Sequence, residues 1–366
     1  MNKEVSLRQI AFLYLFISLS PILRQVPTAL AREAGRSGYL STIWPILAMI
    51  PLTGVIIALI KSFPGLNIYE IMNHLIGKFL SKLIILGYLL WILISIPLKI
   101  NAYYLNLQFT LMARTKNSFF MIVLIFLVFY TLHRGYITVF RFSEFSLMPI
   151  LILIGILFVS SLGQLRLDYL LPVSTIQLPE TIQASINVIS VGGYLVIALF
   201  FSDRLGFQIT KAQIRKLLYA CVGFIVLCFV ITIFTFGITG ADLTADLPYP
   251  FYITVKSISF FNIFERFEVL VTLICMLSDF IAVCAMSIIL IRCFQWLFNL
   301  KESSFLYVPL TVFVYYLTSY ISSTQFEFTS FYRHAMVNVN VIFQYIIPFF
   351  LSFITLLKRK TLQKQF

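Results

Sequence analysis

Three charged side chains stand inside long apolar runs of this sequence: Arg24, Lys99 and Asp279. A charge at membrane depth costs roughly 2.5 to 3.5 kcal/mol at a helix centre, so each needs a partner or a role. Asp279, with Ser278 beside it, lies midway along its run and suits an amino group or either of the two cations. The competing use is an internal ion pair that neutralises buried charge without touching a ligand. Arg24 can hold a carboxylate in two-point contact or extend its guanidinium to the outer interface. Lys99 lies between Pro97 and Asn101, with Tyr103 and Tyr104 one turn on. Two runs also carry helix-loosening residues: Ser18, Ser20 and Pro21 ahead of Arg24 and Pro27, and Gly192 and Gly193 next to Tyr194. Proline removes a backbone donor and glycine tolerates unwound backbone, so each interruption leaves polar groups to meet a small ligand.

The elements that must position these residues follow from composition. The chain has 366 residues, 60% hydrophobic and 11% charged, against about 45 to 50% and about 25% in soluble domains. The apolar residues come in blocks of roughly 18 to 25, the length a helix needs to cross a hydrocarbon core of about 30 Å. Lipid leaves backbone groups no other partner, so the blocks are expected to be helical. A β-barrel would alternate apolar and polar residues, whereas Met121 to Tyr130 and Pro149 to Val159 are apolar throughout. Ten spans are read near 9–31, 40–60, 83–110, 118–133, 143–161, 183–202, 214–238, 266–298, 305–323 and 336–357. The first runs on through Arg24 without a small-residue cleavage site, so it reads as a span and not as a removable signal. Loops near 162–182 and 239–265 are too short for a separate domain, which makes residues 1–366 one polytopic membrane domain.

The net charge of +13 does not point to nucleic acid, because membrane proteins carry such surpluses in cytoplasmic loops. With both termini cytoplasmic, the inner loops and tails, including Lys3, Arg359, Lys360 and Lys364, hold 17 Lys and Arg; the outer side holds eight. Ten spans also permit a five-plus-five inverted repeat in which broken spans one and six line a mid-membrane site. No phosphate-binding loop, His-Glu-x-x-His motif or nucleophile elbow is present, and His74, His133 and His334 fall in separate loops. Neither catalysis, a cofactor nor a metal is expected. Cys221, Cys228, Cys275, Cys284 and Cys293 lie within apolar runs and read as small buried residues.

Three stretches carry a family likeness. They are PTALAREAGRSGYLS (Pro27 to Ser41), GYITVFRFSEFSLMP (Gly135 to Pro149) and PFYITVKSISFFNIFERFEVL (Pro250 to Leu270). Together they resemble the spore germination permease family, the B subunits of GerA-type germinant receptors, within the amino acid-polyamine-organocation transporter superfamily. Two features depart from that family's pattern: Ser18-Leu19-Ser20-Pro21 stands where a glycine-rich break is common, and span eight lacks a mid-helix tryptophan. The resemblance implies a transporter-like fold in the spore inner membrane, assembled with a large A subunit and a lipoprotein C subunit. It implies a germinant, commonly an amino acid, bound at mid-membrane between spans one, three, six and eight. Candidate ligand-binding residues are therefore Ser18, Ser20, Arg24, Lys99, Tyr103, Gly192, Gly193, Tyr194, Ser278 and Asp279. In ion-coupled transporters of this architecture a buried lysine such as Lys99 can stand in for a sodium ion. A secondary amino acid transporter coupled through Asp279 is the alternative function.

Physical readings accompany those motifs. Arg141 and Glu144, spaced i, i+3 at a cytoplasmic helix start, would orient the loop as a surface pair worth about 0.2 to 0.5 kcal/mol. Glu265 and Arg266 open an outer helix, where Glu265 complements the dipole while Lys256 and Arg266 face other subunits or lipid headgroups. Glu327, Arg333 and His334 are placed in the last outer loop as solvated residues.

Overall fold

The computed structural model describes residues 5–171, 178–205, 210–257, 266–321 and 324–358. Glu265, Lys3, Arg359, Lys360 and Lys364 lie outside the described residues. The fold is all-α. Its helices are α1 (Leu7–Arg24), α2 (Val26–Ala34), α3 (Ile46–Ser62), α4 (Ile68–Ile76), α5 (Lys78–Thr110), α6 (Asn117–Arg134), α7 (Tyr136–Ser161), α8 (Leu178–Gly192), α9 (Ile197–Phe200), α10 (Lys211–Thr239), α11 (Ala241–Asp246), α12 (Pro250–Lys256), α13 (Glu268–Phe298), α14 (Tyr307–Ile321), α15 (Gln325–Phe331), α16 (Val337–Val341) and α17 (Ile347–Leu357). Among the described residues nine helical stretches are long and apolar enough to cross a membrane, and a tenth is the pair Val26–Thr42 and Ile46–Ser62, bent by 55°.

Local sequence sets several of these boundaries. Ser6 with Gln9, Asn67 with Glu70, Thr210 with Gln213 and Thr324 with Glu327 form reciprocal caps that start α1, α4, α10 and α15. Only Gly135 separates α6 from α7, and its φ of 88° makes that abrupt turn possible without a Cβ penalty. The last helix is longer than the apolar block predicts. Residues 325–336 are helical and continue into the final span through π-turns at Tyr332–Met336 and Ile342–Ile346. Arg333 and His334 therefore stand on a helix and not in a loop. His74 and His133 are likewise on α4 and α6.

The interior is built on α1 and α13, the most enclosed spans, with α5 running along α13 and α7 and α10 against α1. The outermost spans expose apolar side chains as lipid requires: α14 presents Val312, Phe313, Tyr316 and Tyr320, and α6 presents Ile122 and Phe126. Contacts sort the connections onto two ends. At one end Val5 N–H donates to the Arg204 carbonyl at 2.8 Å, Ser202 hydroxyl to Leu66 carbonyl at 2.6 Å and Lys358 ammonium to Leu75 carbonyl at 2.7 Å. Both ends of the described chain lie there. At the other end Arg32 reaches the Ala245 carbonyl, Thr28 the Leu247 carbonyl and Asn187 the Glu33 carboxylate. Glu144 departs from the pairing that its spacing from Arg141 suggests. It accepts from Arg8 and from Gln9 instead, tying the start of α1 to α7 across 136 residues of sequence.

Candidate functional site

The site grows from the contact of α1 with α13. Ser278 on α13 donates its hydroxyl to the Phe16 carbonyl at 2.6 Å and accepts from the Ser20 N–H at 2.9 Å. Those two backbone groups are one helical turn apart, so the hydroxyl is wedged into the ladder of α1. Pro21 supplies no N–H in the next step. The helix nonetheless continues to Arg24, and its interruption falls at Gln25, four residues beyond the Ser18–Pro21 stretch expected to unwind. The loosening at Ser20 is thus met by a neighbouring side chain rather than left open.

One position along α13, Asp279 meets Arg24. Nη2 lies 3.0 Å from Oδ1 and 2.9 Å from Oδ2, and Nη1 donates to the Ala102 carbonyl of α5 at 2.5 Å. Both side chains are fully enclosed, 3% and 0% exposed. Arg24 Nε has no hydrogen-bond partner. Two of the three membrane charges therefore neutralise one another in direct contact, while the third, Lys99, feels Asp279 only from a distance. Its ammonium sits 5.2 Å from the centre of the Tyr194 ring, which stacks on Trp91 at 6.3 Å. Trp91 Nε1 donates to Asn340 Oδ1 at 2.8 Å, and Asn340 Nδ2 donates to Ser190 Oγ at 3.3 Å. That chain of contacts fixes Tyr194 at the point where α8 tightens into the 3₁₀ turn Gly193–Val196.

A cavity of about 520 Å³ opens at the end where α2, α11 and α15 gather, and reaches down to Arg24 and Ala102. Its walls include Asn187, Tyr249, Gln325, Phe328 and Tyr332, and its rim carries Arg32, Asp246, Arg333 and His334. Glu33 straps the rim, accepting from Asn187 at 2.9 Å and lying 3.6 Å from Arg333. A second, much smaller recess adjoins the floor, bordered by Arg24, Gln25, Ser95, Lys99, Tyr194 and Tyr332. The volume of the larger cavity falls within the range of about 300 to 1,000 Å³ usual for small-molecule sites.

Of the ten candidate residues, Arg24, Lys99 and Tyr194 border these spaces, while Ser278 and Asp279 brace them from α13. Ser20 shares the Ser278 wedge, and Ser18 bonds back to the Tyr14 carbonyl. Tyr103 is buried and borders neither space. A Cβ on Gly192 would lie 2.6 Å from Met49 Sδ, and one on Gly193 would collide with the Gln344 side chain. These glycines permit close helix packing and do not line the opening. The wall residues Asn187, Tyr249 and Gln325, Arg333 on the rim and Glu33 beside it are absent from the ten. The cap signature Thr324-x-x-Glu327 was the signal for a helix there, and it would have carried Arg333 to the cavity.

An all-α bundle of nine to ten spans with a one-ended cavity reaching buried charges defines a multi-pass membrane protein of transporter-like fold. The family model described as spore germination protein matches residues 4–326, and the chain belongs to that family. It is a germination-related membrane protein. No curated protein matches it.

Proposed function

We propose that this chain is the nutrient-sensing membrane subunit of a spore germination receptor, binding a small germinant, an amino acid by preference, in the cavity above Arg24. The observation that carries the reading is that cavity: it mixes aromatic walls at Tyr249, Phe328 and Tyr332 with amide groups at Asn187 and Gln325, the pattern that fixes a small polar ligand. The cavity touches the two interrupted spans at once, through Gln25 and Val26 after α1 and Val191 near the end of α8. A ligand there can bias their relative placement by its difference in affinity for two arrangements. The five-plus-five repeat, the A and C partner subunits, the spore inner membrane and cytoplasmic termini belong to the same proposal. Orientation is supported by the excess of Lys and Arg on the terminal side.

Deleting the chain is expected to abolish germination, scored by loss of refractility, on one class of nutrient and to leave the others intact. Normal germination on every nutrient of an amino acid and sugar panel would count against the sensing role. The transporter alternative predicts something else: accumulation of labelled amino acid by proteoliposomes holding this chain alone, lost in Asp279→Asn.

A further inference from the structure

The recess beside the cavity floor is bordered by two cationic side chains, Arg24 and Lys99, 3% and 7% exposed. Asp279 pairs directly with Arg24 and also acts on Lys99 from beyond ion-pair distance, so one carboxylate faces two cations. Among the described residues Lys99 has no ion pair, and its contact is the face of Tyr194. A ring quadrupole attracts a cation but does not cancel its charge. Arg24, which borders the same recess, keeps a buried donor, Nε, without an acceptor. One positive charge in excess of the single carboxylate and one idle donor thus stand at a space of about 10 Å³, roughly what a single water-sized occupant needs. Of the remaining border, Leu98, Phe328 and Met336 offer no hydrogen bond, the Ser95 hydroxyl donates to the Trp91 carbonyl, and the Gln25 amide, its Oε1 without a partner, is the one further polar group still to be met.

We infer that the recess between Arg24 and Lys99 binds one small monovalent anion, either a free ion such as chloride or the carboxylate of an organic ligand reaching down from the cavity. The chemistry is shared: Nε of Arg24 donates one charge-assisted hydrogen bond, the Lys99 ammonium supplies the counter-charge, and the low-dielectric surroundings strengthen both. Tyr194 holds the ammonium in place by its ring. The occupant would join span three to the Gln25 interruption of span one, so its presence makes the two move together.

The test is thermal unfolding of the purified full chain in detergent at constant ionic strength, titrating sodium chloride or sodium acetate against sodium gluconate, whose anion is too large for the recess. A saturable rise in Tm with chloride, lost in Lys99→Met and kept in Lys99→Arg, is expected. Stabilisation by acetate and not chloride would assign the site to a ligand carboxylate; stabilisation by both assigns it to small anions generally. Broadening of the ³⁵Cl resonance by the wild-type chain, absent with Lys99→Met, gives a reading that does not pass through stability. Equal Tm in all three salts with no ³⁵Cl broadening, or a chloride effect that persists in Lys99→Met, would overturn the inference. No nutrient and no spore enter the measurement, so its failure is separate from failure of the sensing role.

Discussion

The pairing of Arg24 with Asp279 decides what the third charge can do. Removing one member of a buried pair leaves the other uncompensated, at a cost of about 3 to 5 kcal/mol, whereas replacing both by apolar residues is often neutral. Asp279→Ala should therefore lower Tm sharply, and Arg24→Met combined with Asp279→Leu should recover most of the loss; equal loss in single and double variants would contradict an isolated pair. A second residue-scale expectation concerns Gly193, where any Cβ meets Gln344, whose amide has no hydrogen-bond partner at either end. Gly193→Ala should cost about 1 to 3 kcal/mol by overpacking, measured by the same unfolding and only partly relieved by Gln344→Ala, because the Tyr345 ring and the Cβ of residue 344 still crowd the added methyl. All three membrane charges were legible in the sequence, because a charge in an apolar run stands out. Their pairing was not, since Arg24 and Asp279 are 255 residues apart and meet only through helix rotation. Gln344 was missed because an uncharged amide is a weaker signal, although Asn340 and Gln344, spaced i, i+4, mark one polar face on the last span.

At the scale of elements, Ser278 bridges the Phe16 carbonyl and the Ser20 N–H just ahead of Pro21, and α1 stays helical through both. Ser278→Ala removes the hydroxyl, and Phe16 C=O and Ser20 N–H can then bond directly as a regular turn. The predicted cost is only about 1 kcal/mol, readable as a small Tm shift; a loss of several kcal/mol would mean that α1 cannot close there and is held open by its neighbours. The all-helical, membrane-crossing character was readable because lipid dictates both the length and the helicity of apolar runs. The exceptions share one cause. Helical structure outside the apolar runs, at α11, α12 and α15, is set by caps and tertiary contacts, such as Arg32 reaching the Ala245 carbonyl, and hydropathy is blind to both. The same holds for Glu144, whose partner Arg8 lies on another helix.

For the molecule as a whole, both described ends of the chain lie at the end opposite the cavity mouth. That arrangement puts the opening on the outer face if the basic end is cytoplasmic, the side from which a nutrient would arrive. The broad architecture was visible in composition; the cavity was not, because its walls come from five separated segments joined only by the fold. The central claim is that this cavity takes the germinant. Ala29 on α2 borders it and is partly exposed, so a tryptophan there fills space without breaking the charges below, unlike one at Gly193. The most direct test is the germination rate of spores carrying Ala29→Trp against nutrient concentration, with the amount of the chain in the membrane checked in parallel. The account predicts at least a tenfold rise in the concentration of one nutrient class needed for half-maximal rate, with other nutrients unaffected. An unchanged response at normal protein level would contradict it.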